Sequence, residues 1–198
     1  MKSQRLCGAA IAVLIVGGCG KAPDAPTSAA PAVSAAPAIL AAQPILTLIE
    51  VMERVVVPAS KALWDVSNVA QDDNGNVAAS RISVADWKQI EDAATQMKAA
   101  AEALAGAARV TVAPPGVAIQ DQASSGSSSA RQVQGFIDAD PSGFIARAKA
   151  LAASAETMRL AASTRNVSQF GDAVGALDGV CEECHVKYWY PQQMSLKE

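Results

Sequence analysis

The sequence predicts an all-α protein, built as an antiparallel four-helix bundle. Three observations carry that expectation. Much of the 51% of residues that are hydrophobic is alanine, the strongest helix former, and aromatics are only 4%. Four separate stretches repeat apolar residues every three or four positions, the spacing of a helix that buries one face. Start and stop residues bound these stretches, and one long polar connection separates the second from the third. Four such helices with one long crossover close around a shared core.

The first stretch follows Pro44, which suits a first helical turn. Ile45, Leu48, Ile49, Met52, Val55, Val56, Ala59, Leu63 and Val66 then recur at helical spacing up to "DDNGN", where Asn74 and Gly75 supply a stop. Pro58 inside this run predicts a kink. Ser83 with Asp86 approximates a capping box for the second helix, whose seam reads Trp87, Ile90, Ala94, Met97, Ala101, Leu104 and Ala108. "APPG" then breaks the chain, and residues 110–139 read as a long, polar, flexible connection. Asp140-Pro141 supplies a cap and an N1 proline for the third helix, with Phe144, Ala148, Leu151, Ala155, Met158 and Ala162 on its seam. Asn166, with Gln169 three on, caps the fourth. Its seam steps through Phe170, Val174, Leu177, Cys181, Cys184 and Tyr188.

The 198 residues have room for this one core plus a tether. A net charge of −3 and a pI near 5.2 offer nothing to a phosphate backbone, which excludes nucleic acid as a partner. Residues 1–18 read as a secretory signal: Lys2 and Arg5, an apolar run from about Leu6 to Val16, then small residues. The run falls short of the roughly 20 residues of a spanning helix. "VGGC" resembles the bacterial lipobox, which would make Cys19 the lipidated first residue of the mature chain; plain signal cleavage is the alternative. Gly20 stands where an aspartate would signal inner-membrane retention, which favours the outer membrane. Residues 19–43, with prolines at 23, 26, 31 and 37, read as a tether spanning roughly 30–70 Å. The bundle is expected over 44–198.

The cysteines fall into two groups, Cys7 and Cys19 near one end and Cys181 and Cys184 near the other, so they do not read as a disulfide framework. The second pair lies in "CEECH". Zinc usually takes four Cys or His ligands, and His185 is the only histidine. A redox dithiol expects its Cys-x-x-Cys at a helix N-terminus beside a βαβ pattern, whereas this pair lies at least three turns into a terminal helix. One covalent haem fits better. Residues three apart share a helix face, so Cys181 and Cys184 can form thioethers with the two vinyl groups, and His185 can reach the iron. Cys-x-x-Cys-His is the attachment signature of c-type haem.

At the end of the last of four helices, "CEECHVKYW" resembles the motif of class II c-type cytochromes, the cytochrome c′ and c556 family. Tyr188 matches that motif. Trp189 stands where the family carries a basic residue, and Lys187 precedes it instead. The family's first helix crosses the distal face of the haem, presenting methionine or an apolar side chain. Met52, Pro58 and Trp64, spaced six and six, resemble a subgroup with that spacing. On the resemblance Met52 is the candidate sixth ligand. Met52 also suits ordinary core, as do Met97 and Met158 on their seams, while Met194 lies outside the bundle. Tyr188 and Trp189 are candidate haem contacts. Trp64 and Trp87 fit core better than a haem wall, and Glu182 and Glu183 are expected to face solvent.

The expected function is that of a periplasmic electron-transfer protein, not an enzyme, with His/Met-ligated haem. It would be held to the outer membrane by its lipid and exchange electrons with periplasmic redox proteins. The alternative is a five-coordinate site that binds nitric oxide or carbon monoxide. The resemblance also implies a homodimer through the first two helices, a surface that Pro58 could disturb.

Overall fold

Helix α6, Val167–Tyr188, carries the two cysteines and starts where Asn166 accepts the Gln169 amide at 3.1 Å. The structure is a computed structural model and describes residues 47–192. The expected signal segment, Cys19, the tether, Pro44, Ile45 and Met194 lie outside the described residues.

The fold is all-α. Among the described residues there is no strand, only an isolated antiparallel bridge between Gln71 and Val77. No described helix is long and apolar enough to cross a membrane.

Thr47 caps α1 (Leu48–Val51) in a reciprocal box with Glu50, whose carboxylate accepts the Thr47 amide at 2.9 Å. The chain then passes through a π-helical turn over Met52–Val56 into α2 (Val57–Ala70). Asp72 accepts the amides of Asn74 and Asn76, and Gly75 takes φ +83° to close the turn that follows. A 3-10 turn, Ala79–Arg81, leads to α3 (Val84–Gly106), which Ser83 and Asp86 cap as expected. Every predicted seam residue of α3 is buried except Ala108, which lies past the helix end.

Helix α4 (Ala130–Ala139) corrects the expectation that residues 110–139 are all connection. Ser129 and Gln132 form a reciprocal capping box, and Val133 and Ile137 point into the core. Gln134 ties the preceding segment to α4: it accepts the Val112 amide at 2.9 Å and donates to the Val110 carbonyl at 3.0 Å. Helix α5 (Pro141–Thr164) starts on the predicted Asp140 cap, and its predicted seam is buried throughout.

Helix α3 packs on α5 and α2, and α6 packs on α5 and touches α2. At one end the Leu48 amide donates to the Thr111 carbonyl at 2.8 Å, Arg109 pairs with Asp138 at 3.0 Å, and the Ser128 amide donates to the Trp189 carbonyl at 3.0 Å. The start of α1, the end of α3, the start of α5 and the end of α6 therefore meet there. The opposite end is closed by Trp87 edge-on to Phe170, with ring centroids 6.0 Å apart.

The expected kink at Pro58 takes the form of the π turn just before it. Proline lacks the amide that would bond the Arg54 carbonyl and crowds that carbonyl with its ring. Just before it the chain takes a wider turn, in which Val57 donates to Met52 five residues back.

Helix α6 also carries Gly175 and Gly179, whose added Cβ atoms would meet nothing within 4 Å. Each Gly→Ala change is expected to stabilise the protein by about 0.5–1 kcal/mol, since glycine is the costlier residue in a helix interior. Urea unfolding midpoints check this; a drop in midpoint for either variant would contradict the open surroundings.

Candidate functional site

The seam of α6 is sealed at both ends and open between them. Phe170, Val174 and Leu177 are buried, and so is Tyr188, only 3% exposed. Cys181 and Cys184 occupy the seam positions between, yet both are half-buried. This corrects the expectation that they simply continue the buried face. Their thiols are pushed up to about 11. Burial is the main cause for each; Asp178 and Glu182 add to it at Cys181, while the Arg147 cation opposes it at Cys184. Thiols so far above neutral pH stay protonated, the opposite of an activated redox dithiol.

His185 lies one turn beyond Cys181 on a surface-exposed position. Surrounding protein still pulls its pKa below the ordinary imidazole value, against Glu182 and Asp178, so the ring is neutral at pH 7. The Trp189 ring lies 6.3 Å from it and the Tyr190 ring 5.9 Å, centroid to centroid. Tyr190 is fixed in turn by donating its hydroxyl to Glu182. Among the described residues, no group of three His, Cys, Asp or Glu side chains is gathered that could hold a metal ion.

Tyr188 packs edge-on to Phe144, centroids 5.9 Å apart, and its hydroxyl lies 3.3 Å from both the carbonyl and the carboxylate of Asp140. Asp140 also pairs with Lys187 and accepts the Gly143 amide at 3.0 Å. Arg147 completes this clasp. It donates to the Glu183 carbonyl at 3.0 Å, and its guanidinium sits 5.8 Å from the Tyr188 ring centre. One carboxylate thus caps α5 and holds the last turn of α6.

The clasp is acid-sensitive. Lys187 first, then the Gly143 amide, hold the Asp140 carboxyl at about 2, against an ordinary 3.8. A carboxyl depressed by folding contributes its stability in full above the ordinary value and loses it as pH falls through the folded one. Unfolding midpoints should therefore fall between about pH 4 and 2, and Asp140→Asn should lower the midpoint at pH 6 and flatten that acid limb. Parallel acid limbs for the two proteins would refute the assignment.

No family model, curated protein or solved structure matches this chain.

The chain's path brings Met52 to the end where α6 finishes, since α1 starts there. Burial separates the three methionines that periodicity left equal. Met97 and Met158 are sealed at 0% exposure, and Met52 is half-buried. Trp87 lies at the opposite end against Phe170, so it is core, as expected. Trp64 is half-buried on α2 and packs on the core. Glu182 and Glu183 face solvent. Of the carboxylates on the first helix, Glu50 holds Thr47 and Arg54 and Asp65 pairs with Lys61, while Glu53 is exposed to solvent. The sequence reading missed the clasp of Asp140 with Lys187 and Tyr188 and of Arg147 with Glu183, because these partners are brought together only by the packing of α5 on α6.

Proposed function

We propose that this chain is a monohaem c-type cytochrome that carries electrons. Helices α1–α2, α3, α5 and α6 would form its antiparallel four-helix bundle. The observation that supports this best is the α6 seam, closed before and after the cysteines and open where they stand. A planar apolar group bonded to both thiols would cover that opening and complete the face. The donor set suits haem: two protonated thiols on one face, a neutral imidazole one turn from the first, and a half-buried thioether at the same end.

Cys181 and Cys184 would hold the haem through thioethers, His185 would ligate its iron from α6, and Met52 from the first helix. Bound there, haem supplies reversible one-electron chemistry, and Met/His ligation raises its reduction potential. The remaining residues position these ligands. Trp189 and Tyr190 flank the imidazole, and the Asp140 clasp pins the turn that carries it. The sequence holds one histidine, His185, and so no second imidazole to serve as a distal acid or base; the reading is of a carrier and not an enzyme. In this proposal the chain is exported, lipidated at Cys19, held to the outer membrane, and meets redox proteins in the periplasm.

Ferric and ferrous absorption spectra of the matured protein, with and without carbon monoxide, test the reading. A low-spin spectrum with a methionine–iron charge-transfer band, silent to carbon monoxide, is expected, and Met52→Ala should abolish the band. A high-spin wild-type spectrum that shifts with carbon monoxide would overturn Met52 ligation and favour gas binding.

A further inference from the structure

We propose that Pro58 is the positioning residue for Met52: by forcing the π turn over Met52–Val56, it shifts the helix register by one residue and turns the thioether out of the core. The inference rests on Met52 ligation as proposed above.

The seam of the first helix carries the argument. From Val56 onward the buried residues are Val56, Ala59, Ser60, Leu63, Val66, Ser67 and Ala70, an uninterrupted three-and-four pattern. One turn back from Val56, a regular α-helix would place Met52 on that face. In this structure the position is taken by Val51, which is buried, and Met52 is left half-buried at the edge. A π turn closes over five residues where an α turn closes over four, and the Val57 amide does reach back five residues to the Met52 carbonyl. The one-residue surplus moves everything upstream by about 100°, the step of one residue in an α-helix. Pro58 supplies the cause, because it has no amide to offer the Arg54 carbonyl and its ring crowds that carbonyl. Without it, the seam would run through Met52 into the core, as periodicity alone predicts.

A register shift makes an unusually specific test. In Pro58→Ala the α repeat returns, position 52 takes the core place of Val51, and position 53 takes the place Met52 held. Alanine is the strongest helix former, so the variant is expected to fold, which far-UV circular dichroism checks. The spectra are recorded on matured holoprotein. Met52→Ala should lose the charge-transfer band; a retained band would overturn the ligation itself, and this inference with it. Given that loss, Pro58→Ala should also lose the band and become responsive to carbon monoxide. The triple variant P58A/M52V/E53M should regain the band, because the thioether returns to its former direction one residue later. Hydrogen exchange of the same proteins reads the turn without reference to the haem: the new amide at position 58 should be protected, through a bond to the Arg54 carbonyl. A band that survives in Pro58→Ala, an unprotected amide at 58, or a triple variant without the band would each overturn the positioning role while leaving Met52 ligation standing.

Discussion

Replacing Cys181 and Cys184 together by alanine is expected to leave a helical protein that retains no haem under denaturing conditions, while the wild type retains all of it. The two thiols are half-buried on one face of α6, in a seam whose other members are sealed. They are not tied to the fold by hydrogen bonds or a metal cluster among the described residues, so their removal costs packing only. Each single Cys→Ala variant should keep one thioether and so remain stained on a denaturing gel, at reduced yield. His185→Ala should keep both thioethers and lose the axial nitrogen, which separates attachment from ligation. Haem staining that persists in the double variant would sink the assignment of the attachment site. So would its absence from matured wild-type protein.

Phe170→Ala is expected to destabilise the protein by about 3–5 kcal/mol, the cost of deleting a large aromatic from a core. Phe170 is fully enclosed at 0% exposure and packs edge-on to Trp87. Such a ring pair adds roughly 0.5–1.5 kcal/mol beyond the area it buries. A domain of this kind has only about 5–15 kcal/mol in total, so the variant should sit close to its folding limit. The site should not notice while the chain stays folded, since Phe170 lies at the opposite end from His185. Urea unfolding read alongside the haem spectrum distinguishes the two effects. A loss well under 2 kcal/mol would mean that the Trp87–Phe170 contact does not close that end.

Where the interactions are local, the sequence disclosed them. Ser83 with Asp86, Asp140 before Pro141 and Asn166 with Gln169 all cap as read, because a cap joins residues three apart. The buried seams of α3 and α5, and that of α6 outside its two cysteines, followed from periodicity for the same reason. Helix α4 was equally local, with Ser129, Gln132, Val133 and Ile137 in register; the serine- and glycine-rich residues before it masked the pattern. Pro58 announced a disturbance, but whether a helix answers by kinking or by widening depends on the core it must keep covered. The clasp is of another kind. Asp140 and Lys187 are 47 residues apart, and no periodicity within either helix reports that they meet. The difference in burial between Met52 and the sealed Met97 and Met158 is likewise decided by packing.

The closed and open ends of the protein bear on how it would meet another molecule. Helix α6 runs 15 residues from Phe170 to His185, about 22 Å at the rise of an α-helix. Electron tunnelling falls off exponentially with distance, so on the haem reading an encounter at the Trp87–Phe170 end would be unproductive. Only the hemisphere around the last turns of α6 would exchange charge at a useful rate. Exposed Asp178, Glu182 and Glu183 lie there. Their negative field would favour collisions in which a positively charged face of the donor or acceptor arrives first, correctly turned. On that reading, the asymmetry that two rings impose on the core would become a rule about orientation in solution.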